Sequence, residues 1–114
     1  MSDEIYSWLN DILQCTLNIE NFVQNTKDYD AFVKDLKTRS AVERNIEIIA
    51  EAINRISKKD DSIELTNARK IISTRNKIVH GYDYISNEVI WEISQKHIYP
   101  LRSEVALLIS KIDY

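Results

Sequence analysis

The first stretch of the chain spaces its apolar side chains as an amphipathic helix does. The apolar positions advance alternately by three and four residues: Ile5, Trp8, Ile12, Cys15, Ile19 and Phe22. Such a stripe lies along one face of a helix and faces a core. We therefore predict a long first helix, from about Asp3 to Asn25.

The middle of the chain predicts a short helix and then a long one. A short amphipathic segment runs from about Tyr29 to Leu36. The tetrapeptide Ser40-Ala-Val-Glu43 has the form of a capping box, whose two side chains satisfy exposed amides at a helix start. A third helix should begin there, with one face rich in isoleucine, and the polar segment Lys58–Ser62 predicts a loop after it.

Two further helices are predicted in the second half. The fourth covers about Asn67 to Val79 or His80, and Gly81 stands where a left-handed C-terminal cap would be. The last runs from about Asn87 to Ile112, and Pro100 should kink it near Lys96, because proline lacks an amide hydrogen and clashes with the preceding turn.

Composition supports an all-α, up-and-down bundle of four to five helices. With one glycine and one proline in 114 residues, the chain lacks the turn formers that sheets and hairpins need. Its length fits one domain, residues 1–114, with its own core. The apolar stripes are wide enough that a second copy of the chain could cover part of them.

The remaining composition predicts a soluble, cytoplasmic protein. The single Cys15 cannot form an internal disulfide. No leader-like segment opens the chain, and no apolar run approaches the roughly 20 residues needed to cross a bilayer. We therefore expect no membrane association.

Positive charge is concentrated in one short stretch of an acidic chain. The net charge of −3 weighs against a broad, non-specific nucleic-acid coat. However, Arg69, Lys70, Arg75 and Lys77 fall within nine residues, and no acidic residue occurs from 65 to 82. We expect Arg69, Lys70 and Lys77 to contact RNA if the chain binds it.

The segment RNKIVHGY, residues 75–82, contains the candidate chemistry. Asn76 and His80 are four residues apart and share a helix face. Arg75 lies about 140° away from His80 around an ideal helix, so the two converge only if His80 leaves the regular spiral near Gly81, or if the arginine reaches round. Tyr82 should project from the loop beside them.

These residue types suit cleavage of RNA without a metal or a cofactor. The imidazole of His80 can take a proton from a ribose 2′-OH or return one to the leaving oxygen. The guanidinium of Arg75 matches the oxygens of the transition state, and Asn76 can orient the imidazole or hold a phosphate oxygen. Cleavage benefits from two proton carriers, which a symmetric dimer with two copies of His80 would supply.

A purely structural interpretation of the same residues stays open. An arginine and a histidine at a helix end can be surface residues favoured by the helix dipole. Tyr82 and Tyr84 can be packing residues, and His97 on the last helix is predicted to be structural. With two histidines 17 residues apart and no cysteine cluster, we predict no metal site.

Three blocks of the chain together resemble the HepT-like branch of the HEPN superfamily. The segment Arg75–Tyr82 is similar to the family motif Arg-x-x-x-x-His-x-Tyr, and the segment Ser40–Ala52 is similar to its third-helix signature. Val89-Ile-Trp91 and Tyr99-Pro-Leu101 resemble elements of its last helix. The chain departs from the family at Ala50, where glycine is frequent.

The resemblance implies a function. Members are homodimeric helical toxins that cleave tRNA or mRNA without metal, with the arginine and histidine of both subunits in one cleft. Their partner is an MntA-type nucleotidyltransferase antitoxin, which transfers AMP to the motif tyrosine, here Tyr82. The alternative is a non-catalytic helical module that binds nucleotide, RNA or that partner.

Overall fold

The protein is all-helical in a computed structural model that describes residues 2–81 and 86–112, with Val79 described by its backbone alone. No strand occurs in these ranges, which confirms the predicted all-α class. The elements are α1 Asp3–Val23, α2 Tyr29–Lys34, α3 Leu36–Lys59, α4 Arg69–Val79, α5 Asn87–Glu92, a π-helical turn Ile93–His97 and α6 Ile98–Ile112.

The core is built around α1, which packs most extensively against α3 and next against α6. The buried face of α1 follows the predicted stripe at Ile5, Ile12, Cys15 and Ile19 and departs from it at two positions. Leu9 is fully buried beside the half-buried Trp8, and Val23 is buried whereas Phe22 is exposed. Whether Trp8 or Leu9, and Phe22 or Val23, is buried depends on how α3 and α6 pack against α1, which the spacing of apolar residues does not show.

The start of α3 differs from the prediction. Asp35 ends α2 and caps α3: its carboxylate accepts hydrogen bonds from the Thr38 amide at 3.1 Å and the Thr38 hydroxyl at 2.6 Å. These bonds lower the pKa of Asp35. The predicted capping box at Ser40 is therefore wrong, because Asp35, five residues earlier and directly before Leu36, already supplies the cap.

The predicted disturbance before Pro100 takes the form of a π-helical turn. In Ile93–His97 the helix widens, and the amide of Ile98 donates to the carbonyl of Ile93, five residues earlier. The same five-residue period brings His97 to Glu92, with 3.0 Å between Nε2 and Oε1, and this contact lowers the pKa of Glu92. His97 is thus held by a contact within its own helical segment.

Aromatic packing attaches the short helix α2 to the bundle. Phe32 is fully buried, and its ring centroid lies 5.1 Å from that of Trp91 on α5, with the rings inclined by 40°. A six-residue helix is too short to persist alone, so its position depends on its packing against α3 and α5. None of the helices in residues 2–81 and 86–112 is long and apolar enough to cross a membrane.

Candidate active-site groove

The beginning of α4 is held in place by a residue of α6. Ala68, at the start of the helix, makes no side-chain capping bond. Instead, the carboxylate of Glu104 accepts hydrogen bonds from the Thr66 amide at 3.0 Å, the Thr66 hydroxyl at 2.7 Å and the Asn67 amide at 3.2 Å. The loop that enters α4 is thereby attached to the bundle, and the direction of α4 is fixed.

The other end of α4 closes at the candidate catalytic histidine. The His80 amide donates to the Asn76 carbonyl at 3.1 Å, and the Gly81 amide donates to the Ile78 carbonyl at 3.1 Å. Gly81 has φ +69°, so the predicted left-handed cap is present. His80, at φ −81° and ψ 2°, has left the regular helix, which is one of the two conditions for bringing it toward Arg75.

Gly81→Ala should destabilise the protein by roughly 1–2 kcal/mol, because an L side chain is strained at this backbone angle. No heavy atom lies within 4 Å of the position a Cβ would take, so the backbone alone is responsible for the loss. Urea unfolding of the two proteins measures it. Gly81→Asn is the control and should lose less, since asparagine tolerates the left-handed region; an alanine variant as stable as the parent contradicts the assignment.

One face of α4 lines a groove of about 1070 Å³, whose other walls are the C-terminal half of α3 and the loop after it. The face repeats at intervals of three and four residues, as a helix surface must. It consists of Arg69, Ile72, Ser73, Asn76, Lys77 and His80. The groove therefore brings together four residues that the sequence analysis singles out: Arg69, Asn76, Lys77 and His80.

Arg75 does not line this groove. It is half-buried, and its Nη1 donates to Oδ1 of Asn76 at 3.3 Å. Its Nε is buried and makes no hydrogen bond within the described part of the chain. Within the described residues, Arg75 therefore contacts the lining of the groove through its hydrogen bond to Asn76.

Lys70 lies outside the groove too, in a neighbouring cleft of about 410 Å³. Arg69 and Ser73 line both spaces, so the groove and the cleft are adjacent along α4, and His97 lines the smaller cleft. Tyr82, the predicted modification site, and Tyr84 lie outside the described residues.

Sequence reasoning missed the α3 side of the groove. Asn54 and Ser57 line it, yet both belong to a helix whose visible signal is its isoleucine face. The sequence feature that points to Asn54 is its position directly after the buried Ile53, which places it at the edge of the isoleucine face.

Among residues 2–81 and 86–112, no three His, Cys, Asp or Glu side chains cluster closely enough to hold a metal ion.

Comparison with known protein families gives one match that covers most of the chain. The model of a family described as "Ribonuclease HepT-like" matches residues 12–108. That range includes α3, α4, the groove and the motif segment 75–82, and it leaves out only the first turns of α1 and the end of α6.

Individual relatives carry names that propose the same activity. A candidate RNase of Methanocaldococcus jannaschii is 33% identical over 93 residues, which are 79% of this chain and 74% of the relative. A second from that organism is 27% identical over 96% of this chain and 91% of its own length. A candidate RNase of Caldanaerobacter subterraneus is 29% identical over 91% of this chain and 93% of its own length. No solved structure matches the chain significantly.

Proposed function

The chain belongs to the HepT-like ribonuclease family, and on this premise we propose that it is a metal-independent endoribonuclease, the toxin of a toxin–antitoxin pair. The observation that carries the proposal is the placement of His80, Asn76 and Lys77 along one face of a single groove. An imidazole, an amide and a cation so placed are the groups that cleavage of a phosphodiester needs.

The proposed reaction is transesterification within the RNA backbone. The imidazole of His80 takes the proton of a ribose 2′-OH, and the 2′-oxygen forms a bond to the adjacent phosphorus. The bond from phosphorus to the 5′-oxygen breaks, and that oxygen takes up a proton from an imidazolium. The products are a 2′,3′-cyclic phosphate and a 5′-hydroxyl. Lys77 and Arg69 bind the phosphate oxygens, and Lys70 binds the strand beyond Arg69.

We propose that the active form is a homodimer. The chain has one histidine in its motif, whereas the reaction uses a base and an acid at the same time. The Nε of Arg75 is buried and lacks a hydrogen-bond partner within the described residues, an arrangement that a second subunit or a bound phosphate would complete. Two subunits that share one cleft supply a second imidazole and a guanidinium.

The proposed antitoxin is an MntA-type nucleotidyltransferase that transfers AMP from ATP to Tyr82. This part of the proposal is supported by the family resemblance and by the position of Tyr82, two residues after His80. A phosphodiester on that tyrosine adds negative charge where RNA must bind, so it opposes binding by repulsion.

The competing candidate is a non-catalytic module that binds nucleotide, RNA or the antitoxin through the same groove. The net charge of −3 favours it, because positive charge on the described surface of α4 is local rather than extensive. Expression without an antitoxin separates the two: a binding module should be harmless, whereas a ribonuclease should arrest growth.

Purified protein should cleave RNA in the presence of EDTA, because no proposed step uses a metal. The fragments should end in a 2′,3′-cyclic phosphate or in the 3′-phosphate formed by its hydrolysis, which end-specific RNA sequencing detects. A matched reaction with added Mg²⁺ and no EDTA should give the same cut positions. Intact RNA, or fragments with a 3′-hydroxyl, would contradict the proposed chemistry.

A further inference from the structure

The groove that holds His80 offers more space and more apolar surface than a phosphate group uses. Its volume is about 1070 Å³, slightly above the range of roughly 300–1,000 Å³ for small-molecule sites. Apolar side chains contributed by all three of its walls line it: Ile53, Ile63, Leu65 and Ile72. Burial of a flat ring against such an aliphatic surface is favourable, whereas contact with it does not stabilise a charged phosphate.

Charge divides the groove into two sides. On the α4 side are Arg69 and Lys77 together with His80, and on the loop side are Asp61 and Glu64, both exposed. A phosphate is attracted to the first side and repelled by the second. An RNA strand whose phosphates lie along α4 therefore places its bases toward the carboxylates of Asp61 and Glu64. Carboxylates accept hydrogen bonds from exocyclic amino groups of bases.

Asn54 is in position to recognise such a ring. It is half-buried on α3, it lines the groove, and its side-chain amide makes no hydrogen bond to any other described residue. By contrast, Asn45, two and a half turns earlier on the same helix, donates to the Ala41 carbonyl at 2.8 Å. A side-chain amide that both donates and accepts can pair with the edge of a nucleobase.

We propose that this groove is a base-recognition pocket, which receives one unpaired RNA base that carries an exocyclic amino group. Asn54 pairs with the base edge, Asp61 and Glu64 accept from the amino group, and the aliphatic residues contact the ring. The phosphate of the same nucleotide lies beside Lys77 and His80. Adenine, cytosine and guanine fit this pattern, whereas uracil lacks the amino group. The inference rests on the proposed function, since it assigns sequence preference to that site.

Binding of single nucleotides tests the pocket without requiring cleavage. The wild-type protein should bind AMP, CMP and GMP more tightly than UMP, by roughly tenfold for a well-formed pair of hydrogen bonds. Asn54→Ala should reduce this preference to about twofold or less, because it should weaken UMP binding less than binding of the three amino-bearing nucleotides. Asn21→Ala is the matched control, because Asn21 is exposed on α1 and does not line the groove. Titration followed by NMR or calorimetry provides the affinities, and Glu64→Gln should weaken the preference in the same direction.

Cleavage separates this inference from the proposed function. If the wild-type protein leaves RNA intact yet prefers amino-bearing nucleotides, the pocket is supported and the ribonuclease proposal fails. If it cuts RNA with no base preference and binds the four nucleotides equally, the pocket is wrong and the ribonuclease proposal stands. An Asn54→Ala protein with the full wild-type preference also overturns the pocket.

Discussion

His80→Ala should slow RNA cleavage by roughly 10²–10⁴-fold, the usual contribution of a positioned general acid or base. The side chain is exposed in the groove at the end of α4, so its loss opens no cavity in the core. The helix end itself is formed by backbone bonds of residues 80 and 81, which alanine retains. Single-turnover cleavage of a short RNA measures the effect, and circular dichroism checks that the helices remain.

The chain contains its own control for this experiment. His97 is the other histidine; it contacts Glu92 at 3.0 Å and lines the smaller cleft rather than the groove. His97→Ala should therefore keep the cleavage rate within a few-fold of wild type. If the two variants lose activity equally, the loss reports general damage. If His80→Ala cleaves as fast as the parent, the imidazole mechanism is wrong.

The helices were predictable because their signals are local. Periodicity identified α1, α3, α4 and the last helical segment, and Gly81 marked the end of α4 correctly. The misplaced start of α3 has a physical cause. Asp35 and Ser40 are both residue types that cap helices, and the sequence pattern alone does not rank them. The helix begins after Asp35, whose carboxylate accepts two hydrogen bonds from Thr38.

The groove was only partly predictable, because its α3 and α4 walls come together only through the packing of the two helices. The α4 wall follows from helix geometry, which places Asn76 and His80 on one face and Arg75 off it. The α3 wall depends on how α4 packs against that helix, and this packing depends on the bonds from Glu104 to the entering loop. A carboxylate 38 residues from its partner leaves no pattern that a single sequence reveals.

Stability should respond most strongly to Phe32→Ala, with a loss of about 3–5 kcal/mol. Phe32 is fully buried and contacts Trp91, so alanine leaves a cavity and removes the anchor of α2. Because α2 has six residues, it depends on burial of Phe32 to hold its conformation, and Asp35, which ends α2 and caps α3, is coupled to it. For a domain with a typical stability of about 5–15 kcal/mol, the variant should unfold at much lower urea concentration.

The only other phenylalanine provides the comparison for this loss. Phe22 lies near the end of α1 and is 41% exposed, so Phe22→Ala should cost roughly 1 kcal/mol or less, because surface substitutions remove little buried area. Urea unfolding of both variants, with equal slopes required before the midpoints are compared, gives the difference directly. The predicted difference of at least about 2 kcal/mol between the two stability losses follows from the different burial of the two side chains. Equal losses would mean that α2 is not fixed by Phe32, and that the bundle holds it through α3.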